Sequence, residues 1–438
     1  MRNFIVKHAA QLRENYWFWP MTMTLLAVVL GFALPRLDAA IGTAWIKSVP
    51  FLREIQADGA RAILTTLASS SLGVAGVAFS MTIVAVSFAS ANYGPRLIGN
   101  FMSDRVNQLV LGILVSTSVY CITVLSTVYA PGETSVASLE AFVPQVSVSI
   151  ALLLVLISIG ALIGYIHHIP ESINIMTITS GLGSRLHQAV LRLIEGGPEL
   201  DRETAEVGVL AERESGAEQV TLLASPASGY VQYLDLEKLR STATERRFQI
   251  TVLRAPGDFV ASQETLISVS HQGSFSGQDE GDLLSCITIG QGRTTDQDVL
   301  FLSDQLVEVM IRALSPGVND PHTAMQCLDW LKPALLAFAA ATPIPQTAEQ
   351  DRLRYRRVSF VVMLDRTFDR IRQHVAADWM VVLHALELLT DLSSAASHPE
   401  SKLAVDQQLD LLAQAAEELL PDSGAREEVR RLKDASRA

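Results

Sequence analysis

Four long apolar stretches fall within the first 168 residues, at roughly Tyr16–Pro35, Ala62–Ala91, Leu109–Ala130 and Ala141–Ile166. A helix of about 20 apolar residues is long enough to cross the hydrocarbon core of a bilayer. In lipid every backbone N–H and C=O must be satisfied inside the span, so stretches like these are expected to be helices. Residues 1–168 are therefore read as a four-helix transmembrane domain. Tyr16-Trp17-Phe18-Trp19 opens the first span as an aromatic interface anchor. The run has no small-residue cleavage site after it and is read as retained.

Charge divides the chain at the same place. Residues 1–168 carry 9 Lys/Arg against 7 Asp/Glu, and the remainder 25 against 39. A nearly neutral, apolar part followed by an acidic part implies a membrane domain and a soluble domain. The acidic balance argues against nucleic acid as a partner and against docking of the soluble part on anionic lipid. Cys121, Cys286 and Cys327 have no metal or redox spacing and are read as small buried hydrophobes. No metal or other cofactor is expected.

Orientation follows from Lys and Arg. Arg2, Lys7 and Arg13 precede the first span, Arg96 and Arg105 lie between the second and third, and Pro131–Glu140 has none. The loop 36–61, with Arg36, Lys47, Arg53 and Arg61, counts the other way. The balance places both termini in the cytoplasm. The same loop has room for a surface helix around Ala40–Ile55.

The second stretch sorts its small residues. At heptad spacing one row holds Thr66, Gly73, Ser80 and Ser87, and the row three residues on holds Ser69, Gly76, Ile83 and Ser90. Apolar contact alone does not drive helices together in lipid, whereas small side chains let backbones approach. The helix is therefore expected either to pack tightly through this stripe or to line water with it. Ile83 would then be a constriction able to dewet. Arg96 would be an interfacial anchor or a cation at the cytoplasmic mouth.

Residues 169–219 read as a connecting helix, broken at Gly181 and Gly183 and stopped by Gly196-Gly197-Pro198, and then an acidic linker. From Val220 short β-prone runs appear: Val220–Ala224, Gly229–Leu234, Phe248–Leu253, Val260 and Leu266–Val269. Two turn-then-strand pieces, Ser225–Val231 and Pro256–Val260, resemble the half-barrels of biotinyl and lipoyl-type domains. Lys238 falls in a helix-like segment, Leu234–Ala243, so 220–290 is read as a small structural β-barrel without a carrier role. Residues 291–438 read as helical. Gln297–Leu314 buries Leu302, Leu306, Val309, Met310 and Ala313, and Ser315-Pro316-Gly317 breaks it with Gly317 at positive φ. Asp320 caps a helix with Pro321 first, running to about Ala341. Val358–Met363 reads either as the start of a further helix or as a strand, and further helices are expected over Asp369–Ser393 and over Lys402–Leu420. The fold is thus an α-helical membrane domain followed by a cytoplasmic α+β domain.

Two motifs stand out. The first is Ser80-Met81-Thr82 with Ala89-Ser90, Gly94-Pro95-Arg96, Phe101, Asp104-Arg105 and Gln108. The second is Arg293-Thr294, Gln297-Asp298, then Arg312-Ala313-Leu314-Ser315-Pro316-Gly317-Val318-Asn319-Asp320-Pro321. With His167-His168 between them, the chain resembles a widespread bacterial family of predicted membrane proteins. Gly94, Val318 and His322 depart from its pattern. The resemblance implies an inner-membrane protein with a cytoplasmic C-terminal part and implies no activity.

Asp296, Asp298, Asp304, Glu308 and Asp320 cluster in sequence near Arg293, Arg312 and His322. Such groups can bind a cation or move protons, but caps and ion pairs use the same residues. No phosphate loop, His-Glu-x-x-His or nucleophile elbow occurs, so the chain is read as a non-enzyme. Adjacent His167 and His168 project to different faces of a helix, which favours interfacial side chains over a metal site. No span carries a charge at its middle, which weighs against coupled transport. Two readings remain. In one, a homo-oligomer in the bilayer conducts ions along Thr66–Ser90, with the soluble part as a vestibule. In the other, the stripe is a packing seam and the protein is an oligomeric scaffold or regulator.

Overall fold

The computed structural model describes residues 16–41, 55–95, 104–129, 142–195, 219–341 and 352–435. It divides into two compact units, Met1–Thr177 and Ile178–Ala438. The surface helix expected around Ala40–Ile55, the Pro131–Glu140 loop and most of the acidic linker lie outside the described residues.

The first unit is built on four helices: α1 (Phe18–Ile41), α2 (Ala57–Tyr93), α3 (Arg105–Leu125) and α4 (Gln145–Ser172). All four are long and apolar enough to cross a membrane. α2, with 37 residues, is about 55 Å long at 1.5 Å per residue, well beyond a hydrocarbon core. α1 does not stop at Pro35 as expected: the proline sits inside the helix. Its missing N–H costs one intrahelical bond, which a bundle tolerates.

α3 is the central helix, packed against α1, α2 and α4. Close approach to α1 runs through Gly31, opposite Thr123, and Gly112, opposite Pro20 and Met23. α2 turns Ala60, Leu64, Ala68, Ser71, Ala75, Ala78, Thr82 and Ala89 inward. Polar cross-links join the helices at several levels. Ser118 Oγ donates to Ala68 O at 2.9 Å, Thr117 and Ser158 share a 3.0 Å bond, and Tyr165 Oη donates to Ala78 O at 2.6 Å. Such bonds contribute about 0.6 kcal/mol on average in a membrane. The start of α1 and the end of α4 lie together, since Tyr16 packs on Phe79 and Tyr165 bonds to the neighbouring Thr82.

α5 (Ile175–Glu195) contains the boundary between the units and runs unbroken through Gly181 and Gly183, contrary to expectation. Gly183 is a packing position: a Cβ there would lie 2.6 Å from Trp330 Cβ.

The second unit continues with β1 (Gln219–Ala224), β2 (Gly229–Leu234), α6 (Leu236–Arg246), β3 (Gln249–Val252), β4 (Phe259–Val260), β5 (Thr265–His271), α7 (Gly277–Leu284) and β6 (Ile287–Gly290). Then come α8 (Val299–Ala313), α9 (Pro321–Ala340), β7 (Leu353–Tyr355), α10 (Phe360–Ala376), α11 (Trp379–Ala395), α12 (Pro399–Leu419) and α13 (Ser423–Ala435). The expected strands are present, but the expected small barrel is not. They form two sheets, ordered β1-β5-β3-β7 and β4-β2-β6, over one core that includes Val231, Ile250, Leu266 and Ile287. Closure fails at β2. Its partner β4 is only two residues long, and further along β2 the Gln297 amide takes both Leu234 N–H (2.8 Å) and Leu234 O (3.0 Å). A side chain occupies the edge that a barrel would give to a strand.

The expected Leu302, Leu306, Val309, Met310 and Ala313 face of α8 is buried. The single helix expected over Asp369–Ser393 is two, because Asp378 accepts from Met380 N and Val381 N and starts α11. Positive φ after α8 belongs to Asn319 (49°) and not to Gly317. Asn tolerates the left-handed region.

Candidate functional site

In the first unit the small-residue stripe faces out of the protomer. Thr66, Ser69, Gly73, Gly76, Ser80, Ile83 and Ser87 are exposed, and Ser90 is half-buried. A Cβ added at Gly73 or Gly76 would meet nothing within 4 Å. The inward seam of α2 is instead the alanine row described above. Sequence reasoning missed a second outward notch, Gly160-Ala161-Leu162-Ile163-Gly164 on α4, where again nothing lies within 4 Å of either glycine. The G-x-x-x-G spacing was the available signal.

At the end of the bundle where α3 starts and α4 finishes, Asp104 caps α3 by accepting from Val106 N at 2.9 Å. His168 Nε2 lies 2.5 Å from the Asp104 carboxylate. His167 is exposed on the other side of α4, so the two histidines diverge. Arg96 lies outside the described residues. At the opposite end Asp38, 6% exposed, accepts from Val146 N, Ser147 N and Ser147 Oγ at 2.7–2.9 Å. No sequence pattern marks this long-range cap.

The second motif assembles in the second unit as a buried ion network. Asp298 caps α8 through Phe301 N, and Arg293 grips its carboxylate with Nε at 2.7 Å and Nη2 at 2.9 Å. Arg293 Nη1 reaches Asp304 at 2.6 Å, and its guanidinium lies 4.9 Å from the Phe301 ring centroid. Arg366 and Arg370, both on α10, also hold Asp304. Burial pushes the Asp298 carboxyl up and outweighs Arg293. Burial opposes Asp304 ionisation too, but there Arg366, Arg293 and Arg370 prevail and hold the carboxyl below its usual range. Thr294 Oγ1 donates to Gln232 O, so Arg293, Thr294, Gln297 and Asp298 together fasten the sheets to α8. Asp298 also packs directly against Gly257, whose φ of 93° brings bare backbone up to the carboxylate.

The rest of the motif shapes the turn after α8. Arg312 pairs with Glu308 at 3.7 Å, and Asn319 N–H donates to Ser315 O at 2.9 Å. Asp320 caps α9 through Thr323, whose hydroxyl lies at 2.6 Å and holds the Asp320 carboxyl below its usual range. Among the described residues no three His, Cys, Asp or Glu side chains converge on a metal position.

Four helices long and apolar enough to cross a membrane, followed by a mixed helical and small-sheet unit whose motif residues serve as caps and ion pairs, give the architecture of a helical membrane protein. A family model described as "Predicted membrane protein (DUF2254)" matches residues 13–391. The chain belongs to this family. It is similar to the uncharacterized proteins Rv1290c of Mycobacterium tuberculosis and Mb1321c of Mycobacterium bovis. Each is 31% identical over 418 residues, covering 90% of this chain and 78% of the relative. No solved structure matches.

Proposed function

We propose that copies of this chain assemble in the bacterial inner membrane into an ion-conducting pore lined by Thr66–Ser90, with the soluble part as a cytoplasmic vestibule. The observation that carries this reading is the outward placement of the stripe. Outward-facing hydroxyls, and glycines where an added Cβ would meet nothing inside the protomer, suit a partner or water outside it. Ile83, 43% exposed, is the one large side chain on the stripe and would be its dry constriction. Ile83→Ser should therefore raise ion flux through liposomes holding equal amounts of folded protein. Unchanged flux with a lower melting temperature would reject the pore.

The second reading, a non-conducting oligomeric scaffold, is supported by the Gly160/Gly164 notch. That notch permits tight contact between copies without an aqueous path. A non-catalytic role is supported by the use of Asp298 and Asp320 as caps and of Arg293 as the ion-pair partner of Asp298 and Asp304. Both termini are placed in the cytoplasm on the Lys/Arg distribution. A cysteine at Ser135 should react with an impermeant thiol reagent in intact cells and one at Ser103 should not, and the reverse labelling overturns the orientation.

A further inference from the structure

The two edges of the sheet β1-β5-β3-β7 are built differently. β7 has three residues and lies within Arg352-Leu353-Arg354-Tyr355-Arg356-Arg357, so charge guards its edge. β1 is Gln219-Val220-Thr221-Leu222-Leu223-Ala224, without a charge or a proline. With six residues it is the longest edge strand of either sheet among the described residues. One side of β1 pairs antiparallel with β5, in unbroken register from Gln219 opposite His271 to Leu223 opposite Ile267. Among the described residues no strand pairs with its other side, where alternate residues direct N–H and C=O outward. The side chains beside this edge are apolar. Leu223 turns into the core, so Val220 and Leu222 share the opposite face, and Leu222 is 38% exposed.

We propose that β1 pairs antiparallel with β1 of a second copy across a two-fold axis, joining the two sheets into one. Soluble units blunt or cover their edges, and one left uncharged and regular is a template for an added strand. Charge selects the occupant. Residues 169–438 carry 39 Asp/Glu against 25 Lys/Arg, so two copies repel one another over most of this surface. β1 has no charge to repel, which makes it complementary to itself. An anionic partner would meet the same repulsion, and a cationic one would settle on the acidic surface and not on a neutral strand. Pairing centred on Thr221 sets Val220 of each copy beside Leu222 of the other and brings no like charges together. The contact is isologous, as a closed dimer requires. It rests on the assembly of copies in the proposed function and not on conduction.

The test is cross-linking of the full chain in detergent. Cys121, Cys286 and Cys327 are buried, which leaves an introduced thiol as the one that reacts. A short bismaleimide should convert Leu222→Cys to a covalent dimer and leave Gln414→Cys, exposed on α12, monomeric. Val220→Lys added to Leu222→Cys should cut the dimer yield several-fold, because it sets like charges on either side of the axis. Mixing those copies with Val220→Glu, Leu222→Cys copies should restore the yield, since opposite charges then meet. No dimer from Leu222→Cys overturns the proposal and leaves the edge to another strand. A yield that ignores the charge at position 220 overturns it too. If the charged variants do not fold, Gln219→Cys decides. Antiparallel pairing carries that residue away from the axis, so its yield must fall below that of Leu222→Cys, and equal yields refute the pairing. Ion flux separates this contact from the pore: the dimer in non-conducting protein supports it, and conduction without the dimer overturns it alone.

Discussion

At the scale of single residues, two glycines two positions apart in α5 do opposite things. A methyl group added at Gly181 would have nothing within 4 Å, whereas at Gly183 it would meet Trp330 Cβ at 2.6 Å and the Trp330 carbonyl oxygen at 2.8 Å. Gly183→Ala should destabilise the protein by about 1–3 kcal/mol through overpacking. Gly181→Ala should stabilise it by roughly 0.5–1 kcal/mol through helix propensity. Urea unfolding of the two variants checks both signs. Sequence treated the pair alike, as helix breakers, because the neighbour that distinguishes them lies about 150 residues away on α9. The ion network shows the same limit. Arg293 and Asp298 were visible as a local motif, while Arg366 and Arg370 were not, since nothing in the intervening sequence ties them to Asp304.

At the scale of elements, helix and strand existence was largely legible and their ends were less so. β2 falls on Gly229–Leu234 and α9 on Pro321–Ala340, as turn residues and the Asp320-Pro321 start signal imply. The start of α4 is set by a residue from another helix. Asp38 satisfies the Val146 and Ser147 amides, and the Gln145 side chain in turn bonds Ile55 N and O at 3.1 Å and 2.8 Å. Asp38→Ala should destabilise the bundle by about 1.5–3 kcal/mol, the range for a hydrogen bond to a charged group. SDS titration of the detergent-solubilised protein measures it, and an unchanged midpoint would show that water replaces the cap. The two-sheet arrangement illustrates the other half of the problem. The five strand runs read from the sequence are present, but β6 and β7 were not among them. Whether the strands close depends on which edges are already filled, and Gln297 fills one.

At the scale of the whole molecule, α2 and α4 each carry glycines that face outward, while Gly31 of α1 packs against Thr123 of α3 and Gly112 of α3 against Pro20 and Met23 of α1. Replacing Gly160 and Gly164 together with Leu should therefore weaken association between copies and leave the protomer folded. Gly112→Leu, against Pro20 and Met23, should unfold the protomer instead. Native mass spectrometry with a melting curve separates the two effects. Intact assembly in the Gly160/Gly164 variant would assign that notch to lipid.

The sequence by itself determined that four apolar helices are followed by a mixed helical and small-sheet unit, and it carried the family. These properties depend on composition and local periodicity, because burial in lipid and helix capping are decided within one or two turns. Tertiary structure alone decided which face of α2 turns inward. Alanine, serine and glycine are all small enough for a helix seam, so the choice of the Ala60–Ala89 row over the Thr66–Ser90 row rests on what α3 and α4 present to it. It alone decided that a glutamine side chain ends a sheet and that, among the described residues, the buried Asn107 Oδ1 has no hydrogen-bond partner. Both follow from contacts between residues far apart in the chain, where no spacing rule operates.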